Sequence, residues 1–159
     1  MRKLILSLSA VALVAFSACK KETSDSDYTS KSMSATYQRS SADSPTTWNA
    51  APGKIYAEIP FRNSVRFIGS EYKTNPTSLN MFINNYKGKG TYPLYQGSAQ
   101  QTDSNSVKIT VAGRDYTSIT GVLHILDDNA EYYIGRFEFT GSNLNDTLMV
   151  KYGSFTIAK

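Results

Sequence analysis

Residues 119–139 read ITGVLHILDDNAEYYIGRFEF. Ile119, Gly121, Leu123 and Ile125 share one parity, as do Tyr133, Gly135, Phe137 and Phe139, the latter separated by Ile134, Arg136 and Glu138. Successive side chains of a strand point to opposite faces, so each run reads as a strand with one apolar face. Asp127-Asp128-Asn129 between them is turn chemistry. An antiparallel hairpin is the expected result.

The same period continues on both sides. Ile55, Ala57, Ile59 and Phe61 alternate with Tyr56, Glu58 and Pro60, and Val65, Phe67 and Gly69 with Arg66 and Ile68. Leu79, Met81 and Ile83 alternate with Asn80, Phe82 and Asn84, and Val107, Ile109 and Val111 with Lys108 and Thr110. Leu148, Val150 and Tyr152 take one parity and Phe155 and Ile157 the other, which places a bulge at Gly153-Ser154. Lys87–Gly90, Ala112–Asp115 and Gly141–Asp146 are turn segments. No window holds apolar residues at helical spacing with caps. The expected fold is all-β: an antiparallel β-sandwich or small β-barrel of about eight strands over residues 33–159. Periodicity does not separate the two. With a single cysteine in 159 residues, no internal disulfide helps, and about 127 residues can build such a core without one.

The amino-terminal segment has a different character. Met1-Arg2-Lys3 is a short basic region, and Leu4 to Phe16 contains only Leu, Ile, Val, Ala, Phe and Ser. That run is too short for a spanning helix and suits the apolar core of a signal peptide. Phe16-Ser17-Ala18-Cys19 resembles the lipobox of bacterial lipoproteins, with Phe16 where Leu is usual. The resemblance implies cleavage between Ala18 and Cys19 and lipidation of Cys19. Residues 1–18 are then a lipoprotein signal peptide, and the product is lipid-anchored at the outer membrane, facing the periplasm or the cell surface.

Lys20 to Ser32 reads KKETSDSDYTSKS, a polar stretch with no apolar period. It is the composition of a flexible tether, with a reach of about 20 Å. Residues 19–32 therefore form the lipidated cysteine and its linker. Glu22, Asp25 and Asp27 behind the lysines partly resemble the surface-export signals of Bacteroidota lipoproteins. Cleavage removes Arg2 and Lys3, so the 17 basic residues of the precursor become 15 against 13 acidic ones. The longest basic cluster is Lys20-Lys21. Neither the charge nor its distribution points to nucleic acid.

Several segments together resemble a family of small Bacteroidota lipoproteins of unknown function (the DUF6252 type). They are Ala35-Thr36-Tyr37, Thr47-Trp48-Asn49-Ala50, Gly90-Thr91-Tyr92-Pro93-Leu94, Ile119–Ile125, Ile134–Phe139 and Gly153-Ser154-Phe155. The resemblance implies an all-β domain on an anchored lipoprotein and carries no activity.

Catalytic chemistry finds little support. His124 is the only histidine, and it lies on the parity opposite Leu123 and Ile125. A serine triad needs it as base, yet no Gly-x-Ser-x-Gly elbow is present. One His and one Cys cannot form the usual zinc sets. Asp127, Asp128 and Glu131 read as solvated turn residues, and Gly88 and Gly90 as part of a hairpin turn rather than a phosphate loop. No catalytic residue, metal or cofactor is expected, and the chain is read as a non-enzyme.

Aromatic residues are the remaining functional signal. Trp48, Tyr86, Tyr92, Tyr95, Tyr132 and Tyr133 exceed what one small core needs, and tyrosine suits sugar stacking and protein interfaces. Trp48, Tyr86, Tyr92 and Tyr95 are the candidate ligand-binding residues, the last three around one turn. Asp146-Thr147-Leu148 resembles the O-glycosylation pattern of Bacteroidota exported proteins, which makes Thr147 a candidate modification site. The expected function is a non-enzymatic binding module for a glycan or an envelope protein. The alternative is a lipocalin-like carrier of an apolar ligand.

Overall fold

The computed structural model describes residues 31–39, 43–95 and 105–159. Ala18, Cys19 and nearly all of the tether lie outside the described residues. Ten strands are present: β1 (Ser32–Gln38), β2 (Thr46–Asn49), β3 (Ile55–Glu58), β4 (Val65–Ser70), β5 (Ser78–Ile83), β6 (Gly90–Tyr95), β7 (Ser106–Val111), β8 (Arg114–Asp128), β9 (Tyr132–Ser142) and β10 (Thr147–Ala158). The count exceeds the expected eight because the four-residue β2 and the Pro93-containing β6 show no sustained apolar alternation in the sequence. One 3-10 turn, Pro52–Lys54, is the only helical element among the described residues.

All pairings are antiparallel, in the order β2-β1-β10-β9-β8-β7-β5-β4-β3, with β6 attached to β8. This is one curled sheet, a half-barrel, and it resolves the sandwich-or-barrel alternative toward curvature of a single sheet. The 15-residue β8 explains the branch: Arg114–Thr117 pair with β7, and Thr120–Ile125 pair with β6. The β5–β6 segment Tyr86–Lys89 is therefore a crossover, not the expected hairpin, since β5 pairs only with β4 and β7. Asn105 stitches the resulting gap. Its side chain accepts from Asn84 N at 3.0 Å and donates to Pro93 O at 3.1 Å. The β7–β8 turn is tighter than expected, just Ala112 and Gly113 with φ of 50° and 75°, the two-residue turn whose twist matches the flanking strands.

The expected inward residues of β4, β5, β7 and β9 are buried: Val65, Phe67, Leu79, Met81, Ile83, Val107, Ile109, Val111, Phe137 and Phe139. Three parity assignments change. Ile59 and Phe61 are 69% and 67% exposed, because β3 ends at Glu58 and the chain leaves the sheet. In β8, a bulge between Ser118 and Thr120 turns Tyr116 and Ser118 inward along with Leu123 and Ile125, and leaves Ile119 half-buried. In β10 the switch comes at Lys151-Tyr152, one step before Gly153-Ser154, and Tyr152 is 76% exposed.

Closure is made by β4, which passes across the strands of the opposite wall. Phe67 meets Tyr133 of β9 at 5.2 Å and Phe155 of β10 at 4.8 Å, while Gly69 lies against Met33 of β1 and Trp48 of β2. The bond from Ala50 N to Met33 O (2.8 Å) holds the end of β2 to β1, and that from Ala51 N to Ser70 O (2.9 Å) ties the same segment to β4. Glycines make room where rings cross strands. Gly135 opposes Phe155 and Gly153 opposes Phe137, and a Cβ on either glycine would enter the opposing ring. Among the described residues no buried side-chain polar atom lacks a hydrogen bond, as native interiors require.

Candidate functional site

The tyrosine cluster around residues 86–92 folds onto itself. Tyr86 and Tyr92 stack with centroids 5.7 Å apart, and Tyr86 meets Tyr133 edge-on at 6.1 Å. Tyr86 OH donates to Asp128 Oδ2 at 2.9 Å. Tyr92 OH donates to Gly88 O at 2.6 Å and accepts from Lys87 N at 3.1 Å. Lys159 Nζ bonds Asp128 and sits 4.5 Å from the Tyr133 ring centroid. These rings close one end of the half-barrel, with the hydroxyls of Tyr86 and Tyr92 spent inside the protein. Tyr95 is at the far end of β6 and 58% exposed. Trp48 is 2% exposed and donates Nε1–H to Thr77 O at 3.1 Å. The structure thus brings Tyr86 and Tyr92 together and separates both from Tyr95 and Trp48. Thr147 is exposed at the start of β10, its N–H bonded to Asp146 Oδ1 at 2.8 Å.

Burial raises the Tyr86 hydroxyl far above the ordinary phenol range, and the hydrogen bond to Asp128 adds to it. An unfolded tyrosine ionises near about pH 10. The neutral form is favoured by the fold, so this contribution to stability is full below about pH 10 and is lost as pH rises above it. Tyr86→Phe is expected to flatten that alkaline loss. Urea midpoints taken on both sides of about pH 10 check it, and equal alkaline losses in the two proteins would refute it.

A different surface carries a row of polar groups, in which Ser34 bonds Ser154 at 3.3 Å. Register places Asn49, Ser34, Ser154, Arg136, His124 and Thr91 in one outward row across β2, β1, β10, β9, β8 and β6. His124 is half-exposed there, as its parity implied, with Nδ1 3.0 Å from Thr91 Oγ1. The adjacent row holds Thr47, Thr36, Tyr152 and Glu138, broken by the bulge. Lys151 is the extra residue: Lys151 and Tyr152 together oppose Glu138, between the pairs Val150↔Phe139 and Gly153↔Phe137. A bulge re-aims side chains; here it points Tyr152 to solvent while Phe137 packs on Gly153 beneath.

The result is a groove of about 520 Å³ lined by Asn49, His124, Arg136, Glu138, Lys151 and Tyr152, among others. Arg136, Glu138 and Lys151 make no ion pair among the described residues. One exposed aromatic face beside an amide, a guanidinium, a carboxylate and an ammonium can stack an apolar ring face and bond its hydroxyls. Sequence reading missed Tyr152 because the parity of Leu148 and Val150 carries it inward. The signal was present: Val150 and Phe155 are both inward yet five residues apart, so one extra residue must lie between them.

The described residues contain no group of three or more His, Cys, Asp or Glu placed to hold a metal ion. None of their helices is long and apolar enough to cross a membrane. No family model, curated protein or solved structure matches this chain.

Proposed function

We propose that this chain is a lipid-anchored lipoprotein of the cell envelope, of the small Bacteroidota type, whose domain binds a glycan without chemical turnover. The groove at the β10 bulge is the binding site. The observation that carries the reading is Tyr152, a large aromatic ring turned out of the apolar parity of its strand and set beside unpaired Arg136, Glu138 and Lys151. Binding sites of this kind join an apolar platform to a few polar groups that fix orientation. The carrier alternative has no observation in its favour, since rings of Phe67, Tyr133, Phe137 and Phe155 pack against one another inside the curl.

The test is a glycan array probed with the mature chain, residues 19–159, carrying Cys19→Ser so that lipid does not interfere. Tyr152→Ala and Arg136→Ala are each expected to weaken capture at least about tenfold, the loss of roughly 1.4 kcal/mol. Both side chains are exposed, so the thermal midpoint should stay in place. Glycan capture that survives both changes would remove this groove from consideration.

A further inference from the structure

We infer that the β3–β4 loop is a membrane-contacting wedge that seats the domain on the bilayer; the inference rests on the reading of Cys19 as the lipid anchor. Ile59 and Phe61 stand 69% and 67% exposed on this one loop. The loop leaves β3 after Glu58 and is braced by a turn at Phe61–Ser64. Buried Ser64 accepts from Phe61 N at 3.0 Å through Oγ and donates that hydroxyl to Phe61 O at 2.9 Å. Ser64 N bonds Phe61 O as well, at 3.1 Å, and Asn63 takes a positive φ of 59°. A turn fixed at this many points holds the apolar Phe61 in water next to exposed Ile59, which a globular domain gains nothing from.

The occupant follows from where the tether enters. Ser32, the first residue of β1, opposes Thr156, so the start of β1 lies beside the end of β10 near Lys159. Lys159 N bonds Glu131 O at 2.9 Å, Asp128 joins Lys159 to the Tyr86 hydroxyl, and Tyr86 N bonds Asn63 O at 2.7 Å. The start of β1, where the tether joins the domain, the tyrosine-closed end and the Ile59–Phe61 loop thus share one rim. From Cys19 a chain of 12 residues, Lys20 to Lys31, gives a reach of about 20 Å, so this rim cannot move far from the bilayer. The charge also suits a headgroup layer. Arg62, Lys87 and Lys89 are exposed on the loop and its neighbour, against exposed Asp127 and Glu131. Glu58 is paired with Arg66 at 2.7 Å. Apolar side chains flanked by cations are the composition that enters a bilayer interface, and a second contact supplements an acyl anchor.

The experiment uses the mature chain with Cys19→Ser, which has no acyl group, and vesicles of phosphatidylglycerol and phosphatidylcholine. The parent is expected to co-sediment, with at least tenfold weaker partitioning for Ile59→Ser/Phe61→Ser. Phe61→Trp should show a blue-shifted emission on vesicle addition above the constant signal of buried Trp48. A parent that stays in the supernatant at low salt, or a double variant that partitions equally, overturns the wedge. So does a parent dimer that the double variant loses, which would assign the loop to a second copy. Acyl labelling of the natural Cys19 protein is read separately, so failure of the anchor and failure of the wedge are distinct results.

Discussion

Trp48→Ala is expected to cost about 3–5 kcal/mol of folding stability, the range for truncating a buried indole. The ring is 2% exposed, and its outer edge lies against Gly69 across the curl. Met33 and Ala50 crowd the same glycine, so the void left by alanine has walls from three strands and a loop that cannot all collapse into it. The substitution also removes one of two donors to Thr77 O and leaves that carbonyl only the bond from Glu71 N at 3.2 Å. Because Trp48 belongs to the four-residue β2 at one edge of the sheet, and Thr77 precedes β5, this one side chain fastens the edge to the opposite wall. Domains of this size hold roughly 5–15 kcal/mol in total, so the variant should lose about a fifth or more of its stability. Equilibrium urea unfolding measures it. A midpoint within error of the parent would show that the β2 edge is not part of the cooperative core.

Cys19→Ala is expected to abolish incorporation of an alkynyl fatty acid and to leave either released protein or an uncleaved precursor. The reasoning is covalent rather than conformational. The chain has one thiol, at the position that the lipobox resemblance requires, so no other cysteine can take the lipid. Each buried methylene contributes about 0.8 kcal/mol, and two or more chains together hold a protein firmly where one does so marginally. Losing all of them therefore removes the firm part of membrane retention. Equal labelling of both proteins would refute the anchor, and the wedge by itself should leave only weak, salt-sensitive association.

The acidic side chains already show how local chemistry was legible and its partners were not. The Asp115 carboxyl is held below its ordinary value first by a hydrogen bond from Thr110 and then by Lys108. All three lie close together on β7 and β8, at the hairpin whose turn the sequence marks. Asp128, the last residue of β8 beside an equally legible turn, takes its partners from Tyr86 and Lys159, 42 and 31 residues away. Nothing near Asp128 in the chain announces either. The same division separates Tyr86 and Tyr92, which are near in sequence and stack, from Tyr95, which is just as near but at the other end of β6.

Read alone, the amino-acid order determined that this domain is built of antiparallel strands, which residues of β4, β5, β7 and β9 face inward, and where most turns fall. Those properties depend on alternation over a few neighbouring residues, and a pleated backbone enforces that alternation locally. Only the tertiary structure decided that the sheet is a single curl closed by β4, that β6 branches from β8, and that Tyr152, Ile59 and Phe61 face solvent. A bulge adds one residue to a strand relative to its neighbours, so its position is a property of the pairing and not of either strand. Pairing joins residues as far apart as Ser32 and Thr156, and that match is made only when the folded chain brings both to the same edge.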